Sequence, residues 1–469
     1  MRLVFGFIAL QALLLAVGSA LLYALGMVEL RWRRLLPALG AAYLGGIALT
    51  GLCTVLLLIV GATVDALLFT AVALALGAAL LVIGRIRGRP RPAVGATIGP
   101  LAIALIAVIG AFLVYQTVAS ADVTTAWDAA HFWSLKAATL YHHGDLKTAD
   151  FARARQIFHL SHLDYPVLQP AFESIVMRFA ASTSQGLVVF QLWLVLGAFV
   201  AAAAFLLRDG SRAWLALLPL GSLVASPSSF NPVIGDADTT MACFLALGTL
   251  ALGLWLEERR PGLLALGVLL LGAAANIKNE GGAFAALVMI VALGAAIWTS
   301  RRSAALVAGG GVALAALIVP WRLWVHANGP FSSDITSLGT ALHVGFLHDH
   351  LPVLRTTARD TVSQLLDQGV WLVPAFLVVC AICLRSGTVR RLAGFYLAAA
   401  LAALVPVLWV YWTTLDPHPT TYLHNTLGRT VIGPLFLFAV ALAHLLARLG
   451  PAETELRHGE EPSATPRAA

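Results

Sequence analysis

The chain has 469 residues, of which 59% are hydrophobic and 11% charged, and its mean hydropathy is +0.87. Such values exclude an ordinary soluble domain, and apolar runs of roughly 18 to 25 residues, each long enough to cross a ~30 Å hydrocarbon core as a helix, indicate an all-α polytopic membrane protein. The net charge of +7 does not point to nucleic acid, because most basic residues are arginines in short clusters between apolar runs, and the period-two alternation of a porin-like barrel does not occur.

The N-terminal run "LVFGFIALQALLLAVGSALLYAL" is stopped by "RWRR" at 31–34, and we read it as an uncleaved first span and not a signal sequence. Spans are predicted near 3–28, 36–61, 65–84, 96–118, 186–207, 213–227, 238–256, 263–276, 282–299, 303–324, 369–384, 391–412 and 430–448, about thirteen in all. Alternate junctions carry "RWRR", "RIRGRPR", "RDGSR", "EERR", "RR", "RSGTVRR" and the Arg-containing tail. By the positive-inside rule these junctions are cytoplasmic, which places the N-terminus outside and the tail inside.

Four sections follow: N-terminal transmembrane helices at 1–118, an extracytoplasmic loop carrying amphipathic surface helices at 119–185, a transmembrane bundle with short external loops at 186–450, and a polar tail at 451–469 that is expected to be disordered. Cys53, Cys243, Cys380 and Cys383 all lie in apolar runs, where cysteine packs as a small hydrophobe, and "CAIC" lacks the context of a redox motif.

Ionisable residues collect on the external side. "TTAWDAAHFWSLKAATLYHHGDLK" contains no helix breaker between Trp127 and His143, so a helix is expected there, ending at Gly144. Asp128, Phe132 and Lys136 then share one side, with His131 close by and about 12 Å of axis between the carboxylate and the ammonium. Ala130, Trp133, Ala137 and Leu140 are expected to face lipid or the spans, with the tryptophans as interfacial anchors. "HLSHLDYPVLQP" (159–170) then returns the chain to the membrane, with His162, Asp164 and Tyr165 at the turn.

Further along, "NIKNEGG" brings Lys278 and Glu280 toward membrane depth between two short apolar runs. Ionisable side chains at that depth cost about 2.5 to 3.5 kcal/mol on insertion scales and usually mark a substrate path or a paired site. Asp238 opens the span after "NPVIGD", Arg322 and His326 lie in "PWRLWVHANG", and His424 and Arg429 precede the last span. The 13 histidines match no strong zinc spacing such as H-E-x-x-H, and no phosphate-loop motif of an ATP-driven pump is present. No resident cofactor follows from the residues; a divalent cation (Mg or Mn) held by carboxylates and a donor phosphate is compatible with them.

In order, "WDAAHFWSLKAATLYHHG", "HLDYPVLQPAFESIV", "GDADTTMACFLALGTLALGLWL", "NIKNEGGAFAALVM" and "YLHNTLGRTVIGPL" resemble the marks of bacterial GT-C glycosyltransferases, the superfamily that includes protein O-mannosyltransferases and the aminoarabinose transferase of lipid A. The resemblance runs over about residues 120–445. It implies a bundle of roughly eleven to thirteen spans in the bacterial inner (plasma) membrane, moving a sugar from a polyprenyl-phosphate donor to a glycan, glycolipid or protein hydroxyl on the extracytoplasmic face.

Carried over residue by residue, Asp128 matches the loop aspartate implicated in catalysis, Asp164 and Tyr165 the "DYP" segment, Lys278 and Glu280 the "KNEG" turn, and Arg429 the basic residue before the last span. Two features depart from the pattern: three spans precede the one leading into the loop, and the paired acidic residues of the mannosyltransferases are replaced by Asp128 followed by Ala129.

Lipid-phosphate sugar transfer needs a carboxylate to take the acceptor proton, a role that falls to Asp128, with Asp164 second. It also needs cations for the leaving phosphate: Lys278 and Arg429 first, then Lys136, Arg322 and His424. His131, His162, Tyr165, Asp238, Glu280 and His424 complete the expected substrate surface, and direct displacement with a single base implies inversion. Two other classes fit parts of the pattern. A lipid or proton-coupled transporter would also carry intramembrane charges, and a non-catalytic assembly scaffold would leave the acidic loop unexplained.

Overall fold

The computed structural model describes residues 2–88, 100–119, 129–147, 163–208, 213–226, 235–329, 338–385, 389–414 and 419–449. The described residues are helical almost throughout, as the apolar runs require once no water is available to satisfy backbone groups in the hydrocarbon region. The protein is an all-helical, multi-pass membrane protein.

We label the helices that carry the argument in chain order. The N-terminal set is α1 (Arg2–Ala24), α2 (Leu39–Ile59), α3 (Ala66–Arg87) and α4 (Pro100–Ala119). The loop contributes α5 (Ser134–His143) and α6 (Leu168–Ala180). The remainder is α7 (Gln185–Leu206), α8 (Leu217–Val224), α9 (Ala237–Glu258), α10 (Pro261–Ala275), α11 (Asn279–Ile297), α12 (Arg301–Asn328), α13 (Leu351–Gly369), α14 (Leu372–Arg385), α15 (Arg390–Trp412), α16 (Pro419–Thr430) and α17 (Ile432–Arg448).

Each of the thirteen apolar segments expected from the sequence is helical, but they are not equivalent. Among the described residues nine helices are long and apolar enough to cross a membrane, and a tenth crossing needs α13 and α14 together, which meet at 96°. The other three, Ile103–Gln116, Trp214–Val224 and Pro261–Ala275, are shorter. The last expected span begins earlier than the apolar run suggests, because α16 leads almost directly into α17 and the pair counts as one apolar stretch, Thr421–Arg448.

α9 and α17 are the most enclosed spans and pack against each other at the centre, with α7 and α10 on α9. The N-terminal spans join through small residues: a Cβ at Gly18 of α1 or Gly46 of α2 would collide with the backbone of the facing helix, at Ala42 and Leu14 respectively. This is the small-residue packing that lets membrane helices approach closely. Tyr43, Gln11 and Gln191 tie α2, α1 and α7 by side-chain hydrogen bonds, with Gln11 donating to Gln191 at 2.8 Å.

Two features sink one end of the bundle below its rim. α10 has only 15 residues, about 22 Å of helix against a hydrocarbon core of ~30 Å. Its last turn is closed by Asn276, whose Nδ2 donates to the Gly272 carbonyl at 2.9 Å and to the Leu317 carbonyl of α12 at 3.1 Å. The chain entering α6 reaches down to this level, since the Leu168 amide donates to the Asn276 carbonyl at 2.9 Å. α6 is thus buried against the bundle along most of its length.

Candidate functional site

The recess is floored by the end of α10 and the first turn of α11. Lys278 caps α11 in an extended conformation, so its ammonium turns back toward the start of α9. There it lies 2.7 Å from Asp238 Oδ1 and 3.7 Å from Glu280 Oε1. Arg429, at the end of α16, reaches Asp236 Oδ2 at 3.3 Å. The two ion pairs adjoin, since Lys278 and Arg429 lie within electrostatic range of each other.

Asp164 completes the recess from the loop. Asn279 Nδ2 donates to Asp164 Oδ2 at 2.8 Å, and the indole N–H of Trp321 donates to the Asp164 backbone carbonyl at 3.0 Å. Trp321 lies seven residues before the end of α12, Asn328, so Asp164 is held about 10 Å below that end. Pro320 interrupts the α12 hydrogen-bond ladder beside this position. Trp321 stacks on Trp324 with ring centroids 5.0 Å apart.

Arg322 lies within electrostatic range of both Asp164 and Glu280, yet no carboxylate among the described residues comes within ion-pair distance of it. Lys136 enters from α5 and is 1% exposed, its ammonium 5.7 Å from the centre of the Trp133 ring and 5.9 Å from that of Tyr165. Burial lowers its pKa to about 7, with the charge of Asp164 opposing the shift. Tyr165 is pushed well above its usual range by burial first, then by Glu280, Tyr422, Asp164 and Asp238, so it remains a neutral phenol. Tyr411 holds Thr426 and Thr430 of α16 through its hydroxyl at 2.9 and 2.7 Å and lies against Tyr422.

The structure therefore gathers Asp164, Tyr165, Asp238, Lys278, Glu280, Arg429, Arg322 and Lys136 at one end of the bundle. Asp128 and His162 lie outside the described residues, as does the side chain of His131. His424 is exposed on α16, with no hydrogen bond or ion pair among the described residues, so it is not drawn into the recess.

Two expectations change and one is narrowed. The helix expected from Trp127 to His143 is a π-helical turn at Ala129–Trp133 followed by α5, and the extra residue per turn shifts the register on which the shared side of Phe132 and Lys136 was argued. Of the two surroundings expected for Trp133, Ala137 and Leu140, lipid or the spans, the structure shows the second: all three are buried, Ala137 against Met177 of α6 and Val188 and Leu192 of α7. Lys278 and Arg429, the first choices for a phosphate, are already neutralised by Asp238 and Asp236, whereas Arg322, a second choice, keeps its charge available.

The residues that sequence reasoning missed are Asn279 and Trp321. Asn279 stands inside "KNEG" and Trp321 inside "PWRLW", but a neutral amide and an indole N–H carry no charge signal, and their roles depend on partners 115 and 157 residues away.

Among the described residues no group of three or more His, Cys, Asp or Glu side chains is placed to hold a metal, and Asp164, Asp236 and Asp238 are engaged by Asn279, Arg429 and Lys278. Comparison with protein-family models, with curated proteins and with solved structures gives no match.

Proposed function

We propose that the protein is a membrane glycosyltransferase of the GT-C kind, moving a sugar from a polyprenyl-phosphate donor to an acceptor hydroxyl at the recessed end of the bundle, on the extracytoplasmic side. The observation that carries this reading is the Asp164 carboxylate, fixed by Asn279 within the same membrane-depth recess as Arg322, Lys278 and Lys136. A carboxylate beside several cations in a site walled by aromatic side chains suits a reaction that removes a proton at one atom and releases a phosphate at another.

In that reaction the acceptor oxygen attacks the anomeric carbon as its proton passes to a carboxylate. The bond from the anomeric carbon to the phosphate oxygen breaks, and the lipid phosphate leaves with the electron pair. Positioned base catalysis contributes roughly 10²- to 10⁴-fold. The base is Asp128 by the family resemblance, with Asp164 as the carboxylate whose surroundings are described. Arg322 binds the phosphate first, its planar fork suited to two oxygens. Lys278 follows if the donor displaces it from Asp238, and Lys136 adds charge while it is protonated. Inversion at the anomeric carbon is expected of this single displacement.

A second reading, a proton-coupled or lipid transporter, is favoured by one observation: Lys278–Asp238 and Arg429–Asp236 are ready-made ion pairs at membrane depth, the arrangement of exchangeable couples in carriers. The test is transfer in membranes supplied with a labelled polyprenyl-phosphate hexose. Asp128→Asn and Asp164→Asn are compared with the unaltered protein at equal expression. Loss of at least 10²-fold in one of them identifies the base; near-normal turnover in both removes the carboxylate mechanism.

A further inference from the structure

At the other end of the bundle, one helix length of α9 away from the recess, the charge pattern is different. The carboxylates there are taken: Glu257 accepts from His444 at 2.9 Å and pairs with Arg448 at 3.1 Å, while Glu258 lies 3.1 Å from Arg260. Arg259, Arg301, Arg302, Arg390 and Arg391 have no carboxylate within 4.0 Å among the described residues.

Four of these arginines occupy unfavourable positions. Arg301 and Arg302 open α12, and Arg390 and Arg391 open α15, with no acidic residue in either first turn. The N-terminus of a helix carries about half a positive charge, so each pair of guanidinium groups is placed against a like charge, which an anion would relieve.

Arg259 is built differently from a residue that only orients the chain. Its backbone is in the left-handed region at φ 56, where an L side chain is uncommon. The guanidinium lies 4.9 Å over the Trp255 ring and donates to the hydroxyls of Ser303 and Thr299, both at 3.2 Å. Neutral acceptors on two sides and an aromatic face below fix its direction without cancelling its charge. Burial and the positive charge of Arg391 both act against its protonated form.

Apolar surface starts directly beside this group. Trp298, next to Thr299, is 87% exposed, and Ile290, Ile297 and Leu306 are also exposed. Ile290 and Ile297 are two turns apart on one stripe of α11, so acyl chains have a continuous path away from the arginines. A soluble anion has no use for such a stripe, and the exposed tryptophan marks the headgroup level.

We propose that this end of the bundle binds an anionic phospholipid, its headgroup phosphate on Arg259 and Arg391 and its acyl chains along the Ile290–Ile297 stripe of α11. The site is independent of the recess and of the reaction assigned to it.

The test uses the full chain purified in a zwitterionic detergent. Phosphatidylglycerol, phosphatidylcholine or inorganic phosphate is titrated in, and bound lipid is read by native mass spectrometry alongside the thermal midpoint. The expected result is retention of phosphatidylglycerol and a raised midpoint, with neither effect from phosphatidylcholine or phosphate. Arg259→Gln and Arg391→Gln should each weaken retention roughly fivefold. Arg33→Gln, which removes a charge from an exposed arginine at the same end, should leave it unchanged. Because Arg259→Gln perturbs the α9–α12 junction, Arg391→Gln on the exposed start of α15 serves as the variant that folds regardless. Equal retention in Arg391→Gln and the unaltered protein, an equal loss in Arg33→Gln, or an equal midpoint rise from inorganic phosphate would each overturn the proposal.

Discussion

Replacing Lys278 by Met separates the structural role of the recess from its chemical one. The ammonium is 2.7 Å from Asp238 and 3.7 Å from Glu280, and the side chains of the three residues are 14%, 4% and 12% exposed. Removing the cation leaves two enclosed carboxylates uncompensated, a loss of about 3 to 5 kcal/mol for breaking a buried pair. The double variant Lys278→Met with Asp238→Leu removes the 2.7 Å pair, whose replacement by apolar groups is often close to neutral, and leaves only Glu280 uncompensated. In detergent the single variant should unfold well below the unaltered protein, and the double variant should regain part of the difference. Sugar transfer should not return to the unaltered rate with it, because the donor phosphate still lacks the Lys278 charge beside Arg322. Recovery of both stability and transfer in the double variant would show that Lys278 serves only to hold α9 to α11, and would refute its place in donor binding.

Other outcomes follow from particular side chains. Asn279→Ala frees Asp164 Oδ2 from its 2.8 Å hydrogen bond and should lower turnover by roughly 10-fold or more; pre-steady-state transfer rates check this. Lys136 has a pKa near 7, so donor affinity should weaken as pH rises from about 6 to 8, and Lys136→Arg should remove the inflection from a binding titration. Glu173 on α6 is buried beside Gln169 and pushed up to about 8 by burial, the Gln169 hydrogen bond opposing the shift, so it is neutral at pH 7. Its folded pKa exceeds its unfolded value of 4.5, so the stability it contributes is present below that value and is lost as pH rises toward 8. Glu173→Gln should flatten that part of the pH–stability curve. Gly46→Leu, which forces a side chain into the Leu14 backbone, should prevent α1 and α2 from meeting and lower the yield of folded protein in size-exclusion chromatography.

The sequence carried the helical class and the one-sided gathering of charge, because both depend on patterns a single chain displays: long apolar runs, and ionisable residues that are rare enough in them to stand out. Lys278, Glu280, Asp238, Arg322 and Arg429 were found this way. Depth and pairing were not legible. α10 falls short by a few residues that look as apolar as the rest, and only its junction with α6 through Leu168 and Asn276 shows that the recess is sunk. Trp133 and Leu140 are expected to face lipid or the spans, and composition cannot choose between the two, since a packed helix offers the same apolar surroundings as lipid; the structure buries both. Pairing likewise joins distant positions: Asp236 and Arg429 are 193 residues apart, and no spacing rule connects them.

The central claim is that the recess breaks the bond between a sugar and a lipid phosphate. Reconstituted vesicles containing the protein, a polyprenyl-phosphate hexose labelled in the sugar, and an extract of envelope acceptors test it directly. The account predicts that label leaves the lipid fraction for a product fraction while free polyprenyl phosphate appears in equal amount, and that Arg322→Gln abolishes both. Movement of intact labelled lipid or of protons across the vesicle membrane, with no polyprenyl phosphate released, would contradict it and establish a carrier instead.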